Sequence, residues 1–269
     1  MTIGFIGMGN MAQAIAGGWR RAGAAAQEEL LAYAPHQDKL RANARKIGFT
    51  PVQDAVSLVR RSDVILLACK PYQLDEVLGQ LVSARTEDGA PILAGKALVS
   101  IALGWNFERL SAAMQDTGDV RLQFIMPNTP AAIGEGVFLF EQEHSLTEKE
   151  RERVWELFSL LGRCFELPAR LMGIGGAVSG CGPAFVDLFL EAFADAAVKY
   201  GLPRQTAYEL VSLTVAGSAR LQLATGEHPG ALKDAVCSPA GSTIRGVAAL
   251  EKGAFRAVCM SAIDAVMEK

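Results

Sequence analysis

The sequence predicts an α/β protein in which an N-terminal, doubly wound sheet of the Rossmann type precedes an all-α domain. Two observations carry this prediction. Short apolar runs alternate with amphipathic stretches as far as Leu167, and no strand-like run follows Pro168. Such a βαβ rhythm implies a parallel sheet with helices on both faces, because parallel neighbours need a crossover connection. We therefore predict two domains, residues 1–167 and residues 168–269.

The strands of the first domain are predicted from short runs in which successive residues are apolar, as in strands that are buried on both faces. The predicted strands are Ile3–Ile6, Leu30–Ala34, Val64–Ala68, Ala97–Ala102, Val120–Ile125, Gly134–Phe140 and Cys164–Leu167. Thr147 and Glu150 have the spacing of a capping box, which predicts a helix from there to about Leu161.

The second domain contains two helical patterns with large apolar faces. In Pro183–Tyr200 the charged residues recur every four positions, so they form one narrow stripe on an otherwise apolar helix. About a hundred helical residues have difficulty enclosing such a helix, so we predict a homodimer built on this domain. The apolar residues of Phe255–Met267 follow helical spacing, which predicts one face packed in a core.

Composition excludes several classes of function. A net charge of -3 offers no basic face for nucleic acid. The five cysteines form no CxxC pair and the three histidines are far apart, so we expect neither a metal site nor a disulfide framework. Free cysteines in turn indicate a reducing compartment. Met1–Ile6 lacks the features of a signal peptide, and apolar runs such as Val64–Cys69 are shorter than a membrane span of about 20 residues. We expect a cytoplasmic protein without a membrane partner.

A glycine-rich turn follows the first strand directly and leads into a predicted helix, which is the context of a dinucleotide-binding fingerprint. Gly7 permits the tight turn, Gly9 leaves room for a pyrophosphate, and Ala12 lets the helix approach the strand. The residues expected to bind the dinucleotide here are Gly7, Met8, Gly9, Asn10, Met11 and Ala12. The first domain is thus predicted to be an NADP-binding Rossmann domain.

The remaining dinucleotide contacts are expected where other parallel strands end. They are Ala34, Pro35 and His36, then Ala68, Cys69, Lys70 and Pro71, then Ser100, Ile101 and Ala102, and finally Asn128. Lys70 is placed either to contact a cofactor phosphate or ribose, or to cap exposed carbonyls.

The end of the second strand decides between the two nicotinamide cofactors. NAD-binding folds place a carboxylate there on the ribose 2′-hydroxyl, and Ala34–His36 contains none. Pro35 is a plausible first helical residue, which would leave the following amides, His36 and Lys39 able to meet a 2′-phosphate. We predict NADPH as the cofactor, with NADH possible.

A second motif lies in the helical domain, where the small residues of Ser238–Thr243 precede a helix. Small side chains let a ligand touch the main chain, and a helix N-terminus can hold a carboxylate. In the alternative interpretation, Ser238 and Ser242 are ordinary helix caps and Pro239 is an ordinary first helical residue.

Five segments together resemble the Δ1-pyrroline-5-carboxylate reductase family: GFIGMGNMA, ACKP, MPNTP, SGCGPA and, most specifically, LKDAVCSPAGSTIRGVAALE. The resemblance spans essentially the whole chain. It implies NAD(P)H-dependent reduction of a cyclic imine, pyrroline-5-carboxylate, to L-proline in the last step of proline biosynthesis. It also implies that the helical domain serves in dimerisation and substrate binding and intertwines with that of its partner, so that each active site uses residues of two subunits. The dimers would in turn assemble into rings, often decamers.

The resemblance also assigns roles to residues of the second motif. Thr243 matches the catalytic threonine whose hydroxyl hydrogen-bonds the ring nitrogen, and Ser238, Gly241 and Ser242 match the loop that grips the substrate carboxylate. Cys181 stands where the family usually has serine and Ala240 where it usually has glycine. The family's asparagine at the adenosine end has no counterpart near Asp54 and Ala55.

Two other functions share this domain plan. A β-hydroxyacid dehydrogenase would need a catalytic lysine early in the first long helix of the second domain, where the first lysine is Lys199. A non-catalytic dinucleotide sensor would not need the hydroxyl-bearing loop Ser238–Thr243. The ring size of the imine, the oligomer number and inhibition by proline are left open by the sequence.

Overall fold

A computed structural model describes residues 1–23, 28–115 and 117–268 of the chain. It divides into two compact units, Met1–Gly180 and Cys181–Lys269, each of which is described by itself. The boundary predicted near Pro168 follows the last strand. The helix that begins at Ala169 nevertheless packs against the last two strands, within the first unit.

The first unit is built on one eight-stranded sheet with the order β3-β2-β1-β4-β5-β6-β7-β8. All neighbouring strands pair in parallel except β6 and β7, so the predicted Rossmann-type sheet is confirmed. The strands are β1 Thr2–Ile6, β2 Glu29–Tyr33, β3 Thr50–Pro51, β4 Val64–Leu67, β5 Ala97–Ser100, β6 Arg121–Met126, β7 Gly136–Glu141 and β8 Gly162–Leu167. Sequence analysis missed β3, because two residues are too short to show a period.

Helices cover the sheet and enclose two large apolar cores and a smaller one. They are α1 Asn10–Arg21, α2 Gln37–Ile47, α3 Ala55–Arg61, α4 Pro71–Ser83, α5 Phe107–Ala113, α6 Glu148–Ser159 and α7 Ala169–Gly176. In one core the buried Trp19 packs edge-on against Phe158, and its indole Nε1 donates to the carbonyl of Leu157 at 2.6 Å. The capping box predicted for Thr147 and Glu150 begins α6.

A buried carboxylate links the antiparallel end of the sheet to α5. Glu141, the last residue of β7, is 1% exposed, and its Oε2 accepts a hydrogen bond from the main-chain nitrogen of Phe107 at 2.7 Å. Burial raises the pKa of the Glu141 carboxyl, and the nearby Glu143 and Glu108 carboxylates add to the rise. The hydrogen bond from Phe107 opposes this effect without cancelling it.

The second unit consists of helices throughout its described residues. They are α8 Gly182–Lys199, α9 Arg204–Thr225, α10 Pro229–Ala235, α11 Ser242–Lys252 and α12 Phe255–Met267. Ala194 of α8 and Ala207 of α9 are fully buried where these two helices pack together. No residue of α12 is buried, so the prediction that this helix has a face packed in a core is wrong for a single chain.

One helix among the described residues is long and apolar enough to cross a membrane by length and composition. It is Ala169–Lys199, in which α7, a π-helical turn at Ala177–Cys181 and α8 are continuous. This helix is longer than the apolar runs from which the sequence analysis predicted that no membrane span is present. Only 11% of its most apolar stretch of 18 residues is buried within the chain.

Replacing Glu141 by glutamine is expected to change how stability depends on pH. The raised pKa means that the protonated carboxyl stabilises the folded state, an advantage present below the unfolded value of 4.5 and lost as pH rises through the folded pKa. Glu141→Gln keeps the acceptor for Phe107 without the charge. It should therefore gain stability relative to the unmodified protein as pH rises above the unfolded value of 4.5, which thermal unfolding at a series of pH values measures.

The exposed Glu152 on α6 offers a matched control, since Glu152→Gln removes a carboxylate that solvent already screens and that does not contribute to the raised pKa of Glu141. The difference in melting temperature between this variant and the unmodified protein should change less with pH. A pH-independent difference for Glu141→Gln would contradict the raised pKa.

Candidate active site

The sheet brings all the predicted dinucleotide contacts of the first unit to one edge. Strands β1, β2, β4, β5 and β6 are parallel, so the loops that follow them leave at the same side. The predicted residues lie in or beside these loops: Gly7–Ala12, Ala34–His36, Ala68–Pro71, Ser100–Ala102 and Asn128. The sequence therefore placed these residues in one region of the fold.

The turn after β1 requires glycine at its first position. Gly7 has a φ of 99°, and its nitrogen donates to the carbonyl of Tyr33 at 2.8 Å. A Cβ at this position would come within 2.5 Å of the Cys69 nitrogen and 2.6 Å of the Ala68 carbonyl carbon. The turn is thus pressed against the loop after β4, in a conformation that other residues rarely adopt.

Gly9 is not required by the fold in the same way. Its φ is -75°, and a Cβ placed on it would meet no atom of the described residues within 4 Å. Gly9 precedes α1, whose N-terminus has no side-chain cap and no acidic residue in its first turn. The unpaired amides and the partial positive charge of a helix N-terminus can hold phosphate, and the open space beside Gly9 lets one approach.

The loop after β2 begins its helix later than expected. The first residue of α2 is Gln37 and its N-cap is His36, so the prediction that Pro35 is the first helical residue is wrong. The amide of the Gln37 side chain donates to the carbonyls of Ala34 at 3.0 Å and Val52 at 3.2 Å, which ties this loop to the end of β3. The loop itself carries no carboxylate that would repel a 2′-phosphate.

Two acidic residues near this loop have partners of their own. Asp38, in the first turn of α2, pairs with Arg41 at 2.7 Å. Asp54 caps α3 by accepting hydrogen bonds from the nitrogen and the hydroxyl of Ser57, both at 2.7 Å, and the first of these bonds holds the pKa of Asp54 below its usual value. Asp54 is therefore a helix cap at the place where the resemblance would expect an asparagine.

The loop after β4 combines a protonated thiol with an exposed cation. Burial raises the pKa of the Cys69 thiol to about 11, so the thiol is protonated at neutral pH and is no nucleophile. Lys70 is the N-cap residue of α4, and its main-chain nitrogen donates to Oε1 of Gln73 at 3.1 Å. The Lys70 side chain is exposed, which leaves both of its predicted roles open.

Asn128 is buried and holds a π-helical turn against the sheet. Its Oδ1 accepts from the nitrogen of Val137 at 2.8 Å, and its Nδ2 donates to the carbonyl of Ser179 at 3.0 Å. Ser179 lies within the turn Ala177–Cys181, and π-helical turns are frequent at functional sites. This structural role was not predicted, and the cofactor role of Asn128 stays a prediction.

The loop Ser238–Thr243 folds as a tight turn before α11. The nitrogen of Gly241 donates to the carbonyl of Ser238 at 3.0 Å, and Ala240 has a φ of 57°, as the third residue of a type II turn requires. The N-cap of α11 is Gly241 with no side-chain cap, so the interpretation of Ser238 or Ser242 as its cap is wrong. The first-turn amides are thus open to an anion.

Two further side chains at the edge of the sheet were missed by sequence analysis. Gln37 ties the loop after β2 to β3, and the buried Trp105 donates from its indole to the carbonyl of Pro71 at 3.2 Å. A glutamine or a tryptophan beside a strand end carries no periodic signal. The only clue was that a large aromatic residue occurs in a loop, where exposure would be unfavourable.

Replacing Gly9 by alanine is expected to weaken NADPH binding without harming the fold. The added Cβ meets no protein atom, so stability should change by no more than about 0.5 kcal/mol. The same Cβ would occupy the space of the pyrophosphate, and we expect calorimetry to show a dissociation constant raised by about tenfold or more.

Gly79 in α4 supplies the matched control, because a Cβ there also meets no described atom. Gly79→Ala should bind NADPH as the unmodified protein does. Equal NADPH affinities for Gly9→Ala and Gly79→Ala would contradict the position of the pyrophosphate.

Replacing Ala240 by glycine is expected to stabilise the protein. Relief of the left-handed conformation outweighs the greater freedom of glycine in the unfolded chain, and the gain should be about 0.5–1 kcal/mol in urea unfolding. The same change at Ala248, an exposed position within α11, should instead destabilise by about 1 kcal/mol. Effects of equal sign at the two positions would show that Ala240 is not strained.

Two family models match separate parts of the chain. The model described as NADP oxidoreductase, coenzyme F420-dependent, matches residues 2–104. The model described as pyrroline-5-carboxylate reductase dimerisation matches residues 169–269. The second match indicates that the helical unit self-associates.

Relatives of known name match over almost their whole length. The pyrroline-5-carboxylate reductase of Treponema pallidum is 37% identical over 99% of each chain, and that of Pisum sativum is 36% identical over 100% of this chain and 94% of its own. The crystal structure of Plasmodium falciparum pyrroline carboxylate reductase with NADP bound has a TM-score of 0.85 and 31% identity, and the match covers 100% of this chain and 96% of that one. This chain belongs to the pyrroline-5-carboxylate reductase family.

Proposed function

We propose that this protein reduces Δ1-pyrroline-5-carboxylate to L-proline with hydride from NADPH, the last step of proline biosynthesis. The observation that carries the proposal is the uncapped N-terminus of α1 beside the open space at Gly9, in a chain that is similar to pyrroline-5-carboxylate reductases over its full length. The protein is accordingly an oxidoreductase that acts on a CH–NH group.

The residues at the edge of the sheet fit NADPH. The amides of Asn10, Met11 and Ala12 would hold the pyrophosphate next to Gly9, because they lack side-chain caps. His36 and the first turn of α2 would meet the 2′-phosphate, since the preceding loop has no carboxylate. When bound, NADPH supplies the hydride. NADH, which lacks the 2′-phosphate, should bind less tightly.

The loop before α11 is proposed to hold the substrate. The carboxylate of the substrate would accept hydrogen bonds from the open main-chain amides of Ser242 and Thr243, with the hydroxyls of Ser238 and Ser242 beside it. The hydroxyl of Thr243 would hydrogen-bond the ring nitrogen. A protonated imine is already electrophilic, so the demand on these residues is to orient the ring and exclude water.

Self-association is proposed to take the form of a homodimer, with dimers assembled into a ring. The helices α8 and α9 expose large apolar side chains that water would otherwise surround, among them Leu188 at 67%, Leu213 at 64% and Leu223 at 66%. Burial of these faces against a second copy would stabilise the pair. A cytoplasmic location is proposed as well, supported by cysteines that are all free.

The two competing functions fit less well. Lys199 is the last residue of α8, so the helix offers no lysine near its start for a β-hydroxyacid dehydrogenase. A non-catalytic sensor would leave the strained, uncapped loop at Ala240 without a purpose. Neither alternative is favoured by a contact in the described residues.

The proposal is tested by NADPH oxidation with pyrroline-5-carboxylate and with its six-membered homologue. Thr243→Ala should lower kcat/KM for pyrroline-5-carboxylate by about ten- to a hundredfold, because a hydrogen bond to a charged group is lost. Thr243→Ser keeps the hydroxyl and should retain most of the activity. The dissociation constant of NADPH should be the same in all three proteins.

The assay distinguishes an error in the proposed reaction from an error in the role of Thr243. Absence of turnover of any cyclic imine by the unmodified protein would overturn the proposed reaction. Normal kcat/KM in Thr243→Ala, with an active unmodified protein, would remove Thr243 from the mechanism alone.

A further inference from the structure

The loop after β5 turns a tryptophan back towards the neighbouring helix. The nitrogen of Trp105 donates to the carbonyl of Ala102 at 3.1 Å, which closes a four-residue turn. Gly104, the third residue of this turn, has a φ of 80°, a conformation that glycine adopts readily. The turn therefore directs Trp105 away from solvent, to 2% exposure, into the apolar core that contains Leu67 and Leu74.

Trp105 makes one long-range polar contact, and that contact reaches the next loop. Its indole Nε1 donates to the carbonyl of Pro71 at 3.2 Å. Pro71 is the first residue of α4 and directly follows Ala68–Lys70. The hydrogen bond thus joins the loop after β5 to the loop after β4, although the two residues are 34 positions apart in the chain.

A cation covers the outer face of the same ring. The guanidinium carbon of Arg109 lies 3.8 Å from the centroid of Trp105, and its Nη2 is 3.4 Å from Oδ2 of Asp75 on α4. Stacking of arginine on an aromatic face is favourable and limits the movement of the ring. Arg109 therefore reinforces the link between α5 and α4 from the solvent side.

We infer that Trp105 is a positioning residue that fixes the spacing of the loops after β4 and β5 and so determines the affinity for the nicotinamide half of NADPH. The inference rests on the proposed function. The assignment to the nicotinamide half follows from the order of the strands. The loop after β2, proposed to meet the 2′-phosphate, lies on one side of β1, and the loops after β4 and β5 lie on the other. A dinucleotide bound across this edge has its two halves on opposite sides of β1.

An indole can also donate to a carbonyl merely to satisfy its own N–H in a core. Trp19 is such a case: it is 1% exposed and donates to the carbonyl of Leu157, on the face of the sheet opposite to Trp105. Trp19 and Trp105 therefore form a matched pair. Replacing either by phenylalanine removes one indole hydrogen bond to a main-chain carbonyl and keeps an aromatic ring.

The experiment measures the binding of two ligands by calorimetry. NADPH spans both halves of the site, whereas 2′,5′-ADP carries only the adenosine half and its 2′-phosphate. Trp105→Phe should raise the dissociation constant of NADPH by about five- to tenfold and leave that of 2′,5′-ADP unchanged. Trp19→Phe should leave both constants unchanged, and thermal unfolding checks that each variant is folded.

A second variant covers the case in which Trp105→Phe does not fold. Arg109 is about half exposed, so Arg109→Met should fold normally. It should raise the dissociation constant of NADPH by about two- to threefold, again without an effect on 2′,5′-ADP, because the ring loses its stacked cation.

Several outcomes would overturn the inference. NADPH affinity in Trp105→Phe equal to that of the unmodified protein, or an equal weakening of both ligands, would leave Trp105 a core residue only. If Trp105→Phe is unfolded, an unchanged NADPH affinity in Arg109→Met would likewise show that Trp105 is a core residue only. Failure of the unmodified protein to bind NADPH would instead overturn the proposed function.

Discussion

The close approach of Gly7 to the main chain of Ala68 and Cys69 is the constraint on which the candidate site depends. It holds the turn after β1 against the loop after β4, with no room for a side chain between them. The first turn of α1 is thereby presented at the edge of the sheet with its amides uncapped. The phosphate binding proposed for this edge would rest on main-chain geometry and the helix dipole, so it would need no arginine or lysine in the turn.

Side chains then connect this turn to its surroundings, and each connection joins a loop to a different element. Gln37 ties the loop after β2 to the end of β3, Trp105 ties the loop after β5 to α4, and Asn128 ties the loop after β6 to the π-helical turn. These bonds are made by buried or half-buried groups whose partners are main-chain carbonyls. Such carbonyls are fixed by the secondary structure, so the loops inherit the rigidity of the sheet and helices.

The helical unit depends on a different interaction, which one chain cannot complete. Only Ala194 and Ala207 are buried among the described residues from Cys181 onwards, while α8, α9 and α12 expose large apolar side chains. The amphipathic pattern of Pro183–Tyr200 predicted that such a helix needs a cover, and it correctly led to a self-associating domain. The same reasoning failed for α12, because a pattern shows which face is apolar and does not show which chain covers it.

The sequence by itself determined the features that arise from neighbouring residues: the parallel strands, the glycine turn at Gly7–Ala12, the capping box of α6 and the apolar faces of the helical unit. These depend on local periodicity, local turn chemistry and local caps, which a single segment contains. Only the tertiary structure decided that Trp105 reaches Pro71, that Asn128 reaches Ser179 and that Glu141 reaches Phe107, since these partners are 34, 51 and 34 residues apart. Such bonds form because the sheet order brings distant loops together, and no periodicity in the chain encodes that proximity.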